Sequence, residues 1–184
     1  MTATTAPRER ILLTAARLFY GQGVRATGID QIIAEAGVAK ATLYYHFPAK
    51  TDLVRTYLQQ RHGEWMREFS HQLDAVGGNG LSSLADALDR WFKAGNFNGC
   101  AFINLTAEST EPEWRQVSCA HKDALRDLIE TRLNPRLSST RRAKISAQAL
   151  LVIEGTIVRY QMTRDRAVIA ASRGVLKLIE KGTG

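Results

Sequence analysis

Thr27-Gly-Ile-Asp-Gln-Ile-Ile-Ala-Glu-Ala-Gly37-Val-Ala-Lys-Ala-Thr-Leu-Tyr-Tyr-His-Phe47-Pro-Ala-Lys50 is the stretch on which the reading of this chain turns. Thr27 and Asp30 flag a helix start, and Ile29, Ile32, Ile33 and Ala36 recur at helical spacing until Gly37 interrupts them. A second short helix, roughly 39–45, follows at once, and Pro48 ends the unit. Two short helices joined at a glycine, with Val38 dropping into the gap, form a helix-turn-helix, whose second helix enters the major groove of DNA. Ile29, Ile32, Ile33 and Leu43 can pack the unit together. That leaves Lys40, Ala41, Thr42, Tyr44, Tyr45 and His46 facing outward.

The outward residue types suit a duplex. Lys40 can reach a guanine edge or a phosphate, while Ala41 and Thr42 let the helix approach closely and can touch a thymine methyl. Tyr44, Tyr45 and His46 offer donors to phosphate oxygens along the groove wall. Thr27 and Lys50 flank the unit at helix starts, where the positive end of the helix favours phosphate. A compact helical hairpin with no DNA role would leave the Tyr-Tyr-His cluster, on a helix free of acid, without a reason.

The rest of the chain is helical by the same criterion. Ile11, Leu12, Ala15, Ala16 and Phe19 share one side of a helix over 8–20, stopped by Gly21-Gln22-Gly23. A long helix beginning near Lys50 carries Leu53, Val54, Tyr57, Leu58, Trp65, Met66, Phe69 and Leu73. Gly77-Gly78-Asn79-Gly80 is the clearest loop. Further helices are predicted over 81–94, 111–133, 140–162 and 166–181, with an apolar segment around 100–108 between two breaks. The fold class is all-α.

Composition limits the functions open to it. The 184 residues carry a net charge of +7, a balance that attracts polyanions such as nucleic acid. The hydrophobic fraction of 45% is that of a globular protein with a proper core. No apolar run reaches the ~20 residues needed to cross a bilayer, and the first seven residues lack the apolar stretch of a secretion signal, so a cytoplasmic location is expected. Two cysteines and four histidines at unrelated spacings give no metal site, and no cofactor is expected. There is no phosphate-cradling glycine motif, no paired zinc histidines and no triad ordering, so no enzyme is expected. The arginines and lysines are scattered, unlike the dense basic tracts of architectural DNA binders.

Residues 8–54 resemble the DNA-binding domain of the TetR family of bacterial regulators. The family pattern is met at Phe19 and Gly23, at Thr27, at Ile32, at Ala36, Gly37 and Val38, at Leu43 and Tyr44, at His46 and Phe47, at Lys50 and at Leu53. It departs at Ile33, where alanine is commoner, and at Ala39, where serine or threonine often caps the second helix, a cap that typically contributes ~1 kcal/mol. The resemblance implies a three-helix helix-turn-helix DNA-binding domain over 1–50. Over 51–184 it implies a helical ligand-binding and dimerisation domain, for about nine helices in all. It also implies dimerisation through a four-helix bundle made from the last two helices of each copy. The stripes containing Ala149, Ile153 and Ile157, then Val168, Val175 and Leu178, fit that role, and Ala149 and Gly155 would allow close approach; intrachain core is the alternative for these side chains.

An inducer pocket is expected among the fourth to eighth helices. Trp65, Met66, Phe69, Trp91, Phe102, Trp114 and Cys119 are its candidate lining, with Asn104, Glu108, His121 and Glu154 to orient a ligand. The same bulky residues also suit plain core packing. Gly99-Cys100-Ala101-Phe102-Ile103-Asn104 resembles a segment found in a subset of the family near the start of the sixth helix. Cys100 there packs inward or, alternatively, senses oxidants. The expected function is a repressor that binds double-stranded operator DNA as a homodimer and is released by a small-molecule inducer. A redox-responsive or ligand-independent regulator of the same fold is the alternative.

Overall fold

Proline suits the first turn of a helix, where its missing N–H would have no partner, and the first helix of the computed structural model opens on one. This helix, α1, runs Pro7–Gln22, and Gly23 at φ 96° ends it. The structure describes residues 6–77 and 80–182; Gly78 and Asn79 of the expected loop, and Met1–Thr5 of the N-terminal stretch, lie outside the described residues. The helices that follow are α2 (Ile29–Ala36), α3 (Lys40–His46), α4 (Lys50–Val76), α5 (Ser82–Lys93), α6 (Ala101–Glu108), α7 (Pro112–Thr131), α8 (Ser139–Thr163) and α9 (Ala167–Lys181). Among the described residues there is no strand, so the chain is all-α. No helix is long and apolar enough to cross a membrane, and no group of three or more metal-ligating side chains comes together among these residues.

Two compact units divide the chain: residues up to Gly63 with Ala101–Val117, and Glu64–Cys100 with Ser118 onward. The partition differs from the sequence boundary at residue 50. Leu53, Val54, Tyr57 and Leu58 at the start of α4 are buried, as are Ala101, Phe102 and Leu105 of α6, and both segments belong to the first unit. That unit is sealed by Ile11, Ala15 and Phe19 of α1, Ile32 of α2, Leu43 of α3, and Phe47. The Phe19 and Tyr57 rings lie 5.5 Å apart.

In the second unit α9 packs on both α5 and α8. The buried hydroxyls of Thr156 and Ser172 bond each other across α8 and α9; one of them donates to the other, and the second donates to a carbonyl of its own helix. Ala149, Ile153 and Ile157, read from sequence as a dimer face, are buried within the chain. They form the intrachain side of α8. The outward side carries Leu151, Val158 and Met162, and on α9 Val175 and Leu178 are exposed while Val168 is half-buried.

Charge pairs tie α5 to the α8–α9 connection. Asp89 accepts from Arg166 at 2.6 and 2.8 Å and lies 2.9 Å from Lys93. Burial alone would raise the Asp89 pKa, but the hydrogen bonds from Lys93 and Arg166 outweigh it and hold the carboxyl below its usual 3.8. A folded-state pKa below the unfolded value contributes stability that is present above pH 3.8 and lost as pH falls through the lowered folded value. Asp89→Asn is therefore expected to lower the denaturation midpoint at pH 7, and to lower it less at pH 3 than at pH 7. Urea titrations at the two pH values check this.

Candidate nucleic-acid interface

The turn between α2 and α3 depends on one left-handed residue. Gly37 has φ 62° and ψ 44°, and its N–H donates to Ala34 O at 3.3 Å. The Val38 N–H bonds Ile33 O at 3.3 Å, closing the end of α2. From α1, the Arg10 guanidinium reaches the Gly37 carbonyl at 3.3 Å. A Cβ at Gly37 would meet nothing within 4 Å, so substitution there strains only the backbone. Gly37→Ala is expected to destabilise the first unit by ~1–2 kcal/mol, seen as a lower urea midpoint with unchanged helicity.

Helix α3 is anchored by one side and open on the other. Leu43 is fully buried, Phe47 follows four residues later on the same side, and the Phe47 N–H donates to Leu43 O at 2.8 Å. At the start of the helix Ala39 supplies no side-chain cap. Tyr44 is 41% and Tyr45 84% exposed, and Lys40 and Ala41 are exposed beside them. Thr42 and His46 are half-buried, with the His46 ring edge-on to Tyr45 at 5.0 Å. Lys40 lies 3.7 Å from Asp30, both well exposed, a pairing too open to hold the ammonium. The outward set thus presents one flexible cation, one small residue and two phenols on a single face.

Two residues read from sequence as DNA contacts are engaged elsewhere. Thr27 is fully buried; its hydroxyl donates to Gly23 O at 2.6 Å and accepts from Gln22 Nε2 at 3.2 Å. Lys50 is half-buried, and its ammonium donates to Val24 O at 2.7 Å. Burial lowers the Lys50 pKa, and the nearby Glu108 carboxylate works against that shift. Both side chains hold the α1–α2 connection together rather than facing outward. Glu108 of α6, a candidate for orienting a ligand, accepts the Arg25 backbone N–H at 2.9 Å in the same connection. Gly23 has no Cβ to meet that carboxylate, which a methyl there would approach to 2.6 Å.

Around this core a chain of polar contacts joins α1 to α2. Gln22 donates to Gln31 at 2.7 Å, Gln31 donates to Glu35 at 2.9 Å, and Arg17 pairs with Glu35. Sequence reasoning missed Arg8, whose guanidinium lies 5.1 Å from the centre of the Phe47 ring at the end of α3. It also missed Arg10. The two are far from α3 in sequence, so only the folded chain brings them to it.

The expected ligand lining is divided between the two units. Trp65 stacks on Phe69 at 4.6 Å and meets Trp91 and His121 edge-on at 5.4 Å, within a ring cluster of the second unit. Phe92 and Tyr160 stack at 4.2 Å in the same unit, with Arg164 over the neighbouring Phe97 ring. Met66 is half-buried. Phe102 and Trp114 belong to the first unit, and Cys119 is exposed. Asn104 is half-buried on α6, and Glu154 lies 3.4 Å from Lys122. Aromatic residues at helical spacing satisfy one another by stacking, which is why they read equally well as core.

The comparisons with known proteins agree with this geometry. A family profile described as bacterial regulatory proteins, tetR family, matches residues 11–57. A TetR-family transcriptional regulator from Streptomyces coelicolor superposes with a TM-score of 0.79 at 26% identity, covering 96% of this chain and 95% of that one. Residues 11–57 are a TetR-family DNA-binding segment, and the chain as a whole takes the fold of TetR-family regulators. The transcriptional activator FasR of Mycolicibacterium smegmatis is 29% identical over 167 residues, 88% of this chain and 74% of FasR. The transcriptional regulator LmrA of Bacillus subtilis is 43% identical over 61 residues, so that match spans 33% of this chain and 32% of LmrA.

Proposed function

We propose that this TetR-family DNA-binding transcriptional regulator is a repressor that grips operator DNA as a homodimer and releases it when a small-molecule inducer binds. In this reading residues 1–50 supply the DNA-binding domain, residues 51–184 the ligand-binding and dimerisation domain, and the protein works in the cytoplasm. The reading is carried by the outward face of α3, where Lys40, Ala41, Tyr44 and Tyr45 stand on a short helix locked from behind by Leu43. Thr42 and His46 border that face. Arg8 beside Phe47 is placed to add a phosphate contact.

A seven-residue helix reads only a few base pairs, so useful affinity needs two copies on one duplex, about one helical turn apart on a near-palindromic site. The exposed apolar residues of α8 and α9 support such a pair, because a free surface of leucine, valine and methionine favours burial against its like. A ligand that binds more tightly to a form with the wrong head spacing would empty the operator by population shift. A redox-responsive regulator has less behind it, since Cys100 is buried and a thiol sensor needs access.

Fluorescence anisotropy with the DNA upstream of the protein's own gene tests the proposal. Saturable binding that exceeds binding to a scrambled duplex is expected. Tyr44→Ala should weaken binding to all duplexes by about tenfold, and Lys40→Ala should change the order of preference among operator variants, at ~1–3 kcal/mol for a lost base contact. Equal affinity for upstream and scrambled DNA would overturn the repressor reading.

A further inference from the structure

The second unit contains a cavity that none of the aromatic candidates lines. A space of about 730 Å³ opens between the end of α4, the start of α5, the end of α7, the start of α8 and the end of α9. Its size falls within the range of small-molecule sites, ~300–1,000 Å³. The walls are aliphatic: Leu73, Leu81, Leu84, Ile129 and Ile145 are each almost wholly buried yet border the empty space. The cavity opens to solvent on one side, and an apolar molecule seated against its aliphatic wall would be removed from water.

The polar rim decides what kind of molecule fits. Glu180, the only acid on the lining, lies against the start of α5, where it accepts the Leu81 N–H at 3.4 Å and faces Gly80. Arg132 is held by Asp74 at 2.6 Å and by Ser70 at 3.0 Å. Lys181, also on the lining, is exposed and forms no salt bridge among the described residues. The segment 130–145 that frames one side holds Arg132, Arg136, Arg141, Arg142 and Lys144 against the single acid Glu130. The local field at the mouth is therefore positive, and its one free lining charge is an ammonium.

We infer that this cavity is a binding site for an apolar molecule that carries one acidic group, its hydrocarbon body against the aliphatic wall and its anion at Lys181. The site stands on this geometry alone; its effect on DNA rests on the ligand-released repressor reading above.

Isothermal titration of the full-length protein with decanoate, decanol and decylamine, below their aggregation limits, tests the site. Decanoate should bind about tenfold tighter than decanol, the size of one charge-assisted hydrogen bond, and decylamine weakest. Lys181→Ala should remove the advantage of the acid without changing decanol binding. Leu133→Trp, at a half-buried wall position, and Ile145→Trp, at a buried one, should each abolish binding by filling the space. Using both guards against one of them failing to fold, which circular dichroism detects. No decanoate binding, equal binding of all three headgroups, or binding untouched by a folded tryptophan variant would each overturn the site. Operator anisotropy on the same samples keeps the two readings apart. Decanoate that binds without shifting operator affinity upholds the site and overturns its role as the inducer site, while a ligand-free protein that ignores operator DNA overturns the repressor reading whatever the titration gives.

Discussion

Leu178→Glu is expected to split the proposed homodimer and to lower operator affinity by roughly 10²-fold or more, the range lost when two linked binding heads become independent. Leu178 is 68% exposed on α9, and Leu151 and Met162 on α8 are exposed by 70% and 74%. On α8 the outward residues fall at Leu151, Gly155, Val158 and Met162, steps of four, three and four that keep one stripe on one side of the helix. In a two-fold pair each substitution enters twice, so one codon change places two carboxylates in an apolar contact where neither finds a partner. Sedimentation should show a monomer that keeps its helical content, and anisotropy should show the loss of affinity. A variant that stays dimeric and binds DNA as before would mean that the pair forms through some other surface.

Leu43→Ala should have the larger effect on stability, about 2–5 kcal/mol for a buried leucine cut back to a methyl. Leu43 is fully buried and is the one buried residue of α3. A helix of seven residues cannot hold itself together in water, so its order comes from this anchor and from Phe47 just beyond it. Urea denaturation should give a clearly lower midpoint, and amide exchange should speed up first in 40–46. Tyr45→Ala, at the most exposed position of the helix, should stay within about 0.5 kcal/mol of the parent. That contrast separates the scaffold of the recognition surface from the surface itself.

Much of this architecture was legible because punctuation and periodicity are local. Gly23, Gly37 and Pro112 fall at or beside helix ends, and the apolar spacing between such marks places the helices within a residue or two of where they lie. The outward residues of α3 could be read in the same way, since a helix with Leu43 inward must turn Lys40, Ala41, Tyr44 and Tyr45 away. Thr27 and Lys50 could not. A hydroxyl and an ammonium serve a phosphate or a backbone carbonyl equally well, and the carbonyls they meet belong to Gly23 and Val24. On α8 both faces are apolar, so periodicity finds Ile153 and Leu151 alike without saying which one faces α9. The tryptophans suit a pocket lining by their size, and the leucines and isoleucines that wall the cavity between α4, α5, α7, α8 and α9 are ones that nothing in the sequence distinguishes from ordinary core. Glu108 lies 83 positions from Arg25, a distance no local pattern spans.

That last contact bears on how the reading head could be moved to another protein. The peptide that turns from α1 into α2 is braced by a carboxylate supplied from beyond residue 100, and the surrounding core draws on the same later segment. A transplant ending at residue 50, or even at 63, would carry every side chain proposed to face the duplex while leaving behind a brace that steadies them. A functional graft has to bring the stretch 101–117 with it, or replace its acid by other means.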